Sequence, residues 1–177
     1  MDGRRDILGM YVGENESAKF WLSILNGLKN RGVKDILIAY IDGLIGFSQA
    51  ISAVFSETEI QYCIIHQIRN TTKFVSYKDL KALMADLKRG YTASTEEIAR
   101  FELEAFAEKW DSKYPNISKS WNENRATLST YFKYPEEVIK IIYTTNTVEG
   151  FNCRLRKVPR TNLSFQLMRA CSKCYIL

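Results

Sequence analysis

No uninterrupted apolar run in this chain approaches the ~20 residues that a bilayer crossing needs, so the sequence offers no membrane-spanning helix. The opening Met1-Asp2-Gly3-Arg4-Arg5-Asp6 lacks the apolar centre of a signal peptide, and a cytoplasmic protein is expected. In that setting the four cysteines, Cys63, Cys153, Cys171 and Cys174, read as reduced thiols rather than a disulfide framework. There is no internal repeat and no low-complexity segment. A hydrophobic content of 46% with 25% charged residues excludes wholesale disorder. Histidine is nearly missing, with His66 alone, and no acid follows Glu149. After that point Arg154, Arg156, Lys157, Arg160, Arg169 and Lys173 crowd the chain. This asymmetry points to a phosphate backbone better than the net charge of +5 and pI near 9.0, a balance that ribosomal and membrane-surface proteins share.

What is present fits roughly one ordinary domain of 177 residues. Asp2-Gly3 is a two-residue hairpin signal with a strand-like run, Asp6 to Gly13, after it. Only Met1 stands before it, so either the natural sheet has strands before Met1 or the pair is a chance match in an irregular start. From Ser17 to Asn30, Phe20, Trp21, Ile24, Leu25 and Leu28 recur at helical spacing, and Arg31-Gly32 closes the helix. Val33 to Ile41 reads as a strand buried on both faces, ended by Asp42-Gly43. A short helix with Ala50, Ile51, Val54 and Phe55 on one face follows, then a strand from Glu59 to Ile65. The alternation predicts an α/β sheet. Beyond His66 the pattern turns helical: Lys78 to Arg89, then Thr95 to Trp110 with a stripe of Ile98, Phe101, Ala105, Phe106 and Trp110. Ser94 or Thr95 caps this second helix, Glu96 and Glu97 suit its first turn, and Tyr114-Pro115 ends it. Pro135 starts another helix near Glu136 to Ile142.

Asp42 is placed at the carboxyl end of a strand, where α/β sheets usually carry their chemistry, and Gly43 allows close approach of backbone. An Asp-Gly turn leaving a buried strand accounts for the same pair without any function. Glu149, early in a helix that begins near Thr144 or Thr145, is likewise explained by the macrodipole alone. Together they suggest two-metal phosphoryl chemistry, in which Mg²⁺ or Mn²⁺ ions ~3.5–4 Å apart are held by carboxylate oxygens. Asn152, Cys153 and Arg156 share the Glu149 face, so Arg156 is placed to hold phosphate, with Arg154, Lys157 and Arg160 tracking a strand more remotely.

Five segments, in order, resemble the mutator-family transposases of bacterial insertion sequences. They are Leu8-Gly9-Met10-Tyr11-Val12-Gly13-Glu14-Asn15-Glu16-Ser17-Ala18-Lys19-Phe20-Trp21; Asp42-Gly43-Leu44-Ile45-Gly46-Phe47; Cys63-Ile64-Ile65-His66-Gln67-Ile68-Arg69-Asn70; Lys109-Trp110 with Tyr114-Pro115; and Tyr143-Thr144-Thr145-Asn146 through Arg156-Lys157-Val158. The resemblance implies a ribonuclease-H-like fold with an Asp-Asp-Glu triad, Asp42 as second acid and Glu149 as third, both catalytic and metal-binding. It implies Mg²⁺ or Mn²⁺, insertion-element ends and target DNA as partners, homo-oligomeric assembly and a nucleoid-associated location. DNA contacts fall to Asn152, Arg154, Arg156, Lys157 and Arg160. The implied layout is residues 1–70 as the first part of the core, 71–142 as a helical insertion, 143–165 as the returning helix and 166–177 as a divergent tail. The first triad Asp of the family lies upstream of the hairpin that Asp2-Gly3 closes. A chain with two of the three acids is therefore expected to be catalytically inactive by itself.

Cys63 and His66 form a Cys-x-x-His that recurs in the family, and Trp110 belongs to its motif set. Zinc needs about four ligands. Cys171 and Cys174 complete such a set on paper, but they fall in the divergent tail, so zinc is not the expected ion and Cys63 and His66 are assigned to packing or a DNA-proximal role. Trp110 reads as core rather than as a platform for a flipped base. A non-catalytic DNA-binding piece and a zinc module remain the alternatives to the enzyme.

Overall fold

The computed structural model describes residues 8–12, 17–135, 139 and 174–176. The Asp2-Gly3 turn, the Glu149 helix and, apart from Ile139, the helix after Pro135 lie outside these. The fold is mixed α/β and mostly helical. It divides into two compact units: residues 1–37, 44–58 and 140–177 form one, and residues 38–43 and 59–139 the other.

In the first unit, α1 (Ala18–Asn30) starts where Ser17 Oγ accepts the Phe20 N–H at 3.2 Å. It buries Trp21, Ile24, Leu25 and Leu28, the stripe its sequence spacing predicts. Gly32, at φ +100°, terminates it in the left-handed conformation that a side chain disfavours. Helix α2 (Phe47–Val54) packs against α1 through Phe47, whose ring stacks on Trp21 at 4.2 Å. Lys29 Nζ donates to the Val54 carbonyl at 3.1 Å and so caps the carboxyl end of α2. Gly46 precedes α2 at φ +77°, and a Cβ there would lie 3.0 Å from Ala18. Strand β1 (Met10–Val12) pairs antiparallel with β4 (Cys174–Ile176), Tyr11 opposite Tyr175. Of the expected run from Asp6 to Gly13, Leu8 and Gly9 stand before the strand, and Asp6, Ile7 and Gly13 lie outside the described residues.

The second unit holds a two-stranded parallel pair, β2 (Ile38–Ile41) and β3 (Glu59–Tyr62). Both strands are shorter than their sequence runs suggest. Lys34 and Asp35 interrupt the run from Val33 and stay in solvent, Leu37 is 71% exposed, and the ladder begins only at Ile38. Nor is β2 buried on both faces, since only Ile41 is fully enclosed. β3 stops at Tyr62 because Cys63 becomes the N-cap of α3 (Ile64–Thr72), a helix that the apolar run to Ile65 concealed.

The remaining described elements of this unit are α4 (Tyr77–Tyr91), α5 (Glu96–Trp110), α6 (Pro115–Glu123), α7 (Arg125–Leu128) and a 3₁₀ turn at Thr130–Lys133. Thr95 caps α5 as expected, its hydroxyl accepting the Ile98 N–H at 3.2 Å. The expected stripe of α5 holds at Phe106 and Trp110 and fails at its other positions, where Leu103 is buried instead. Leu103, Phe106 and Trp110 are enclosed, while Ile98, Phe101 and Ala105 face solvent. Spacings of three and four generate both faces, and packing against α4 selects the first. Tyr114-Pro115 opens α6 rather than closing α5, which ends at Trp110; proline fits the first helical turn because its missing N–H has no partner there.

Polar side chains join these helices. Asp86 of α4 accepts from Trp110 Nε1 at 2.8 Å and Lys109 Nζ at 2.7 Å. Burial raises its pKa, but those two donors outweigh the burial and hold it below the ordinary value. Asp79 accepts from Lys113, from Tyr114 Oη at 2.7 Å and from Ser76 Oγ at 2.8 Å, and these hold its carboxyl far below the usual range. Trp121 Nε1 donates to Thr71 Oγ1 at 2.9 Å in the buried interior. Gln61, the enclosed polar residue of β3, donates to the Leu128 carbonyl at 3.0 Å.

Candidate functional site

The pairing of β2 with β3 brings two strand ends together. In parallel register Ile38 faces Glu59 and Ile41 faces Tyr62, so residues 42 and 63 leave the ladder side by side at its carboxyl edge. Asp42 follows Ile41 directly, and Gly43 turns the chain away at φ +74° with the Tyr62 ring 3.7 Å from where its Cβ would be. The Cys63 N–H donates to the Ile41 carbonyl at 2.8 Å, continuing the ladder by one bond. The Cys63 carbonyl accepts the Gln67 N–H at 3.0 Å, the first turn of α3. Strand and helix thereby fix the backbone at Cys63 from both sides.

Three residues on, His66 lies one helical turn from Cys63 and on the same face. Its Nδ1 sits 3.2 Å from Asp42 Oδ1, with the His66 side chain 34% exposed and that of Asp42 50%. That separation is ion-pair reach, but the alignment a hydrogen bond requires is not met, and among the described residues the buried Nδ1 has no hydrogen-bond partner. Cys63 itself is buried. One ligand atom from each of Asp42, Cys63 and His66 lies within 4.8 Å of the others, a mixed oxygen, sulfur and nitrogen set.

The expected position of Asp42 at a strand tip is therefore met, and Cys63 and His66 join it. Sequence reasoning paired Cys63 with His66 and left Asp42 apart from them. The signal was present as two strand ends with one helix between them, since a strand–helix–strand unit with parallel strands returns both carboxyl ends to one edge. Glu149, Asn152, Arg154, Arg156, Lys157 and Arg160 lie outside the described residues, as do Cys153 and Cys171. Trp110 is a core residue: it is enclosed, its indole N–H satisfied by Asp86, as the packing alternative predicts. An apolar recess between the helices is lined by Leu87, Leu103, Phe106, Trp121 and Leu128. Among the described residues the group of three possible metal ligands is the Asp42 cluster.

Comparison with known proteins follows the same order of segments. Residues 1–176 match the sequence model of the family described as Transposase, Mutator family. The chain is 47% identical over 165 residues to the transposase for insertion sequence element ISRM3 of Rhizobium meliloti (strain 1021), covering 93% of this chain and 41% of that protein. It is 48% identical over 165 residues to the probable transposase for an ISRM3-like element of Sinorhizobium fredii (strain NBRC 101917 / NGR234), with the same coverage of 93% and 41%. A probable insertion-element transposase of Corynebacterium diphtheriae is 39% identical over 166 residues, 93% of this chain and 48% of its own length. The chain thus spans less than half the length of these curated relatives.

Proposed function

Because the chain belongs to the mutator family of transposases, we propose that it forms part of an enzyme that cuts the ends of an insertion element and joins them to target DNA. The observation that supports this reading is the position of Asp42, an exposed carboxylate at the carboxyl edge of a parallel strand pair, and the family resemblance assigns it the role of second acid. We read β2, α2 and β3 as part of a ribonuclease-H-like sheet, with the helices after α3 as the insertion.

Asp42 offers oxygen donors to solvent, which suits Mg²⁺ or Mn²⁺, and Glu149 is the second carboxylate proposed for the pair. When bound, such ions activate water or a 3′-hydroxyl and stabilise the leaving oxygen of an in-line displacement. Asp42 and Glu149 then serve to hold and orient that site. Arg156 steadies a phosphate beside it, and Asn152, Arg154, Lys157 and Arg160 follow the DNA strand by charge and hydrogen bonding. DNA is the proposed partner, in a homo-oligomeric assembly at the nucleoid. Among the described residues no helix is long and apolar enough to cross a membrane.

The test separates binding from chemistry. The purified chain should bind element-end DNA with an affinity that falls steeply as salt rises. Asp42→Ala and Glu149→Ala should leave that binding intact, whereas charge removal at Arg154, Arg156 and Lys157 should weaken it and flatten its salt slope. Absence of salt-sensitive DNA binding would sink the proposal.

A further inference from the structure

We infer that Asp42, Cys63 and His66 form a site for a borderline-soft divalent ion of the Zn²⁺ class, bound through a carboxylate oxygen, the thiolate Sγ and imidazole Nδ1. The inference needs neither Glu149 nor DNA and goes beyond the transposase reading: it takes Oδ1 of Asp42, the oxygen beside His66, and leaves Oδ2 for the Mg²⁺ or Mn²⁺ proposed above.

Geometry is the first support. Bonds of about 2.0–2.3 Å in a tetrahedral site set ligand atoms roughly 3.3–3.8 Å apart. The three ligand atoms already lie within 4.8 Å of one another, and the Nδ1–Oδ1 edge is 3.2 Å. Small rotations of side chains on a fixed backbone close the rest. That backbone is held by the Cys63 N–H to Ile41 bond at 2.8 Å and the Gln67 N–H to Cys63 bond at 3.0 Å.

The second support is independent of the first. Among the described residues His66 Nδ1 is buried and has no hydrogen-bond partner, although it lies 3.2 Å from a carboxylate oxygen. A buried ring nitrogen left in this state costs free energy, and native interiors rarely tolerate it. Donating its lone pair to a cation satisfies the atom and draws the neighbouring Oδ1 onto the same ion.

Donor chemistry then selects the ion. Mg²⁺ takes hard oxygen ligands in near-octahedral geometry, and a thiol at its first coordination position is foreign to it. A nitrogen, sulfur and oxygen set of three is characteristic of Zn²⁺ with a fourth place left for water or substrate. The half-exposed Asp42 side chain gives the entry path and the open position, while buried Cys63 anchors the inner side. Binding converts the Cys63 thiol to thiolate and releases its proton to solvent, so affinity rises with pH. This ligand set shares Cys63 and His66 with the four-residue arrangement written from sequence, but puts Asp42 in place of Cys171 and Cys174.

The test uses the full chain with Cys153, Cys171 and Cys174 changed to Ser, so that Cys63 is the one thiol. Titration with Co²⁺ alone should give tetrahedral d–d bands and a thiolate-to-cobalt charge-transfer band saturating at one equivalent, displaced by Zn²⁺. Cys63→Ser should abolish the charge-transfer band. His66→Ala and Asp42→Asn should each weaken Co²⁺ binding at least about tenfold, the loss typical of removing even an outer-shell partner. Glu149→Gln, which disables the proposed Mg²⁺ pair, should leave the titration unchanged, so the two readings fail separately. If Cys63→Ser does not fold, protection of the Cys63 thiol from alkylation by Zn²⁺ in the parent, lost in His66→Ala, gives the same answer. Absence of the band, a band that survives Cys63→Ser, or binding indifferent to His66→Ala overturns the site and leaves an Asp42–His66 ion pair beside a buried thiol.

Discussion

Gln61 Oε1 accepts the backbone N–H of Tyr131 at 2.7 Å, from a side chain that β3 holds entirely out of solvent. The same amide donates to the Leu128 and Tyr62 carbonyls at 3.0 and 2.8 Å, so one residue ties the strand to the turn after α7. Replacement by Leu preserves volume but leaves a buried N–H and a buried carbonyl unpaired. Gln61→Leu is expected to lose about 2–4 kcal/mol of stability in urea unfolding, from two uncompensated groups. Amide exchange should accelerate at Tyr131 first. An unchanged midpoint would mean that the amide contributes nothing net.

Glycine substitutions at two sites should act with opposite sign. Gly46 has φ +77° and Ala18 backbone 3.0 Å from any added Cβ, so Gly46→Ala is expected to destabilise by more than about 1 kcal/mol. Gly27 lies inside α1 with nothing within 4 Å of the new atom. Gly27→Ala is expected to stabilise by about 0.5–1 kcal/mol through backbone entropy. Thermal midpoints of the two variants against the parent decide both.

The buried bond between Trp121 and Thr71, 2.9 Å long, ties α6 to α3. Thr71→Val keeps the shape and strands the indole N–H, at an expected cost of about 1–3 kcal/mol. Adding Trp121→Phe removes the stranded donor, so the double variant should be less destabilised than the two single effects summed. Strict additivity in that cycle would show that the pair is not coupled.

Acid should weaken the helical unit. Asp79, Asp86 and Glu59 are all held below their ordinary values, 3.8 for each aspartate and 4.5 for the glutamate. For Glu59 the leading cause is the hydrogen bond from Lys133, 3.0 Å away. A lowered folded value means that the stabilisation is complete above the unfolded pKa and is lost as pH falls through the folded one. Thermal midpoints should therefore decline below about pH 4.5, where unfolded carboxyls begin to take up protons. Asp79→Asn should lower the neutral-pH midpoint and flatten the acid limb. The Lys113 side chain that pairs with Asp79 is exposed, and solvent screening of that pair keeps the effect modest.

Helix starts were legible in the sequence because they are local. Ser17 and Thr95 each cap a helix with their own hydroxyl, and Trp21, Ile24, Leu25 and Leu28 repeat at a period that admits one face. Legibility fails where the partner decides. Ile98 and Phe101 sit at spacings from Phe106 and Trp110 as good as those of Leu103, and only the location of α4 tells which are enclosed with them. Pro115 likewise reads as an ending or a beginning until the turn before it is seen. At the candidate site the sequence supplied Asp42 and the Cys63–His66 pair separately. Their meeting depends on parallel pairing between segments joined through α2, a tertiary fact that no local pattern carries. Glu149 lies outside the described residues.

The hydrogen bond from Cys63 to Ile41 makes the strand ladder a ruler for everything beyond its edge. Sliding β3 by a single residue would point Tyr62 where the thiol now stands and swing the imidazole a fraction of a helical turn away from Asp42. The spacing of oxygen, sulfur and nitrogen is thus inherited from backbone pairing rather than negotiated by a loop. Lengthening or shortening the chain between Phe55 and Glu59 should be harmless so long as Ile41 still faces Tyr62, and ruinous once it does not.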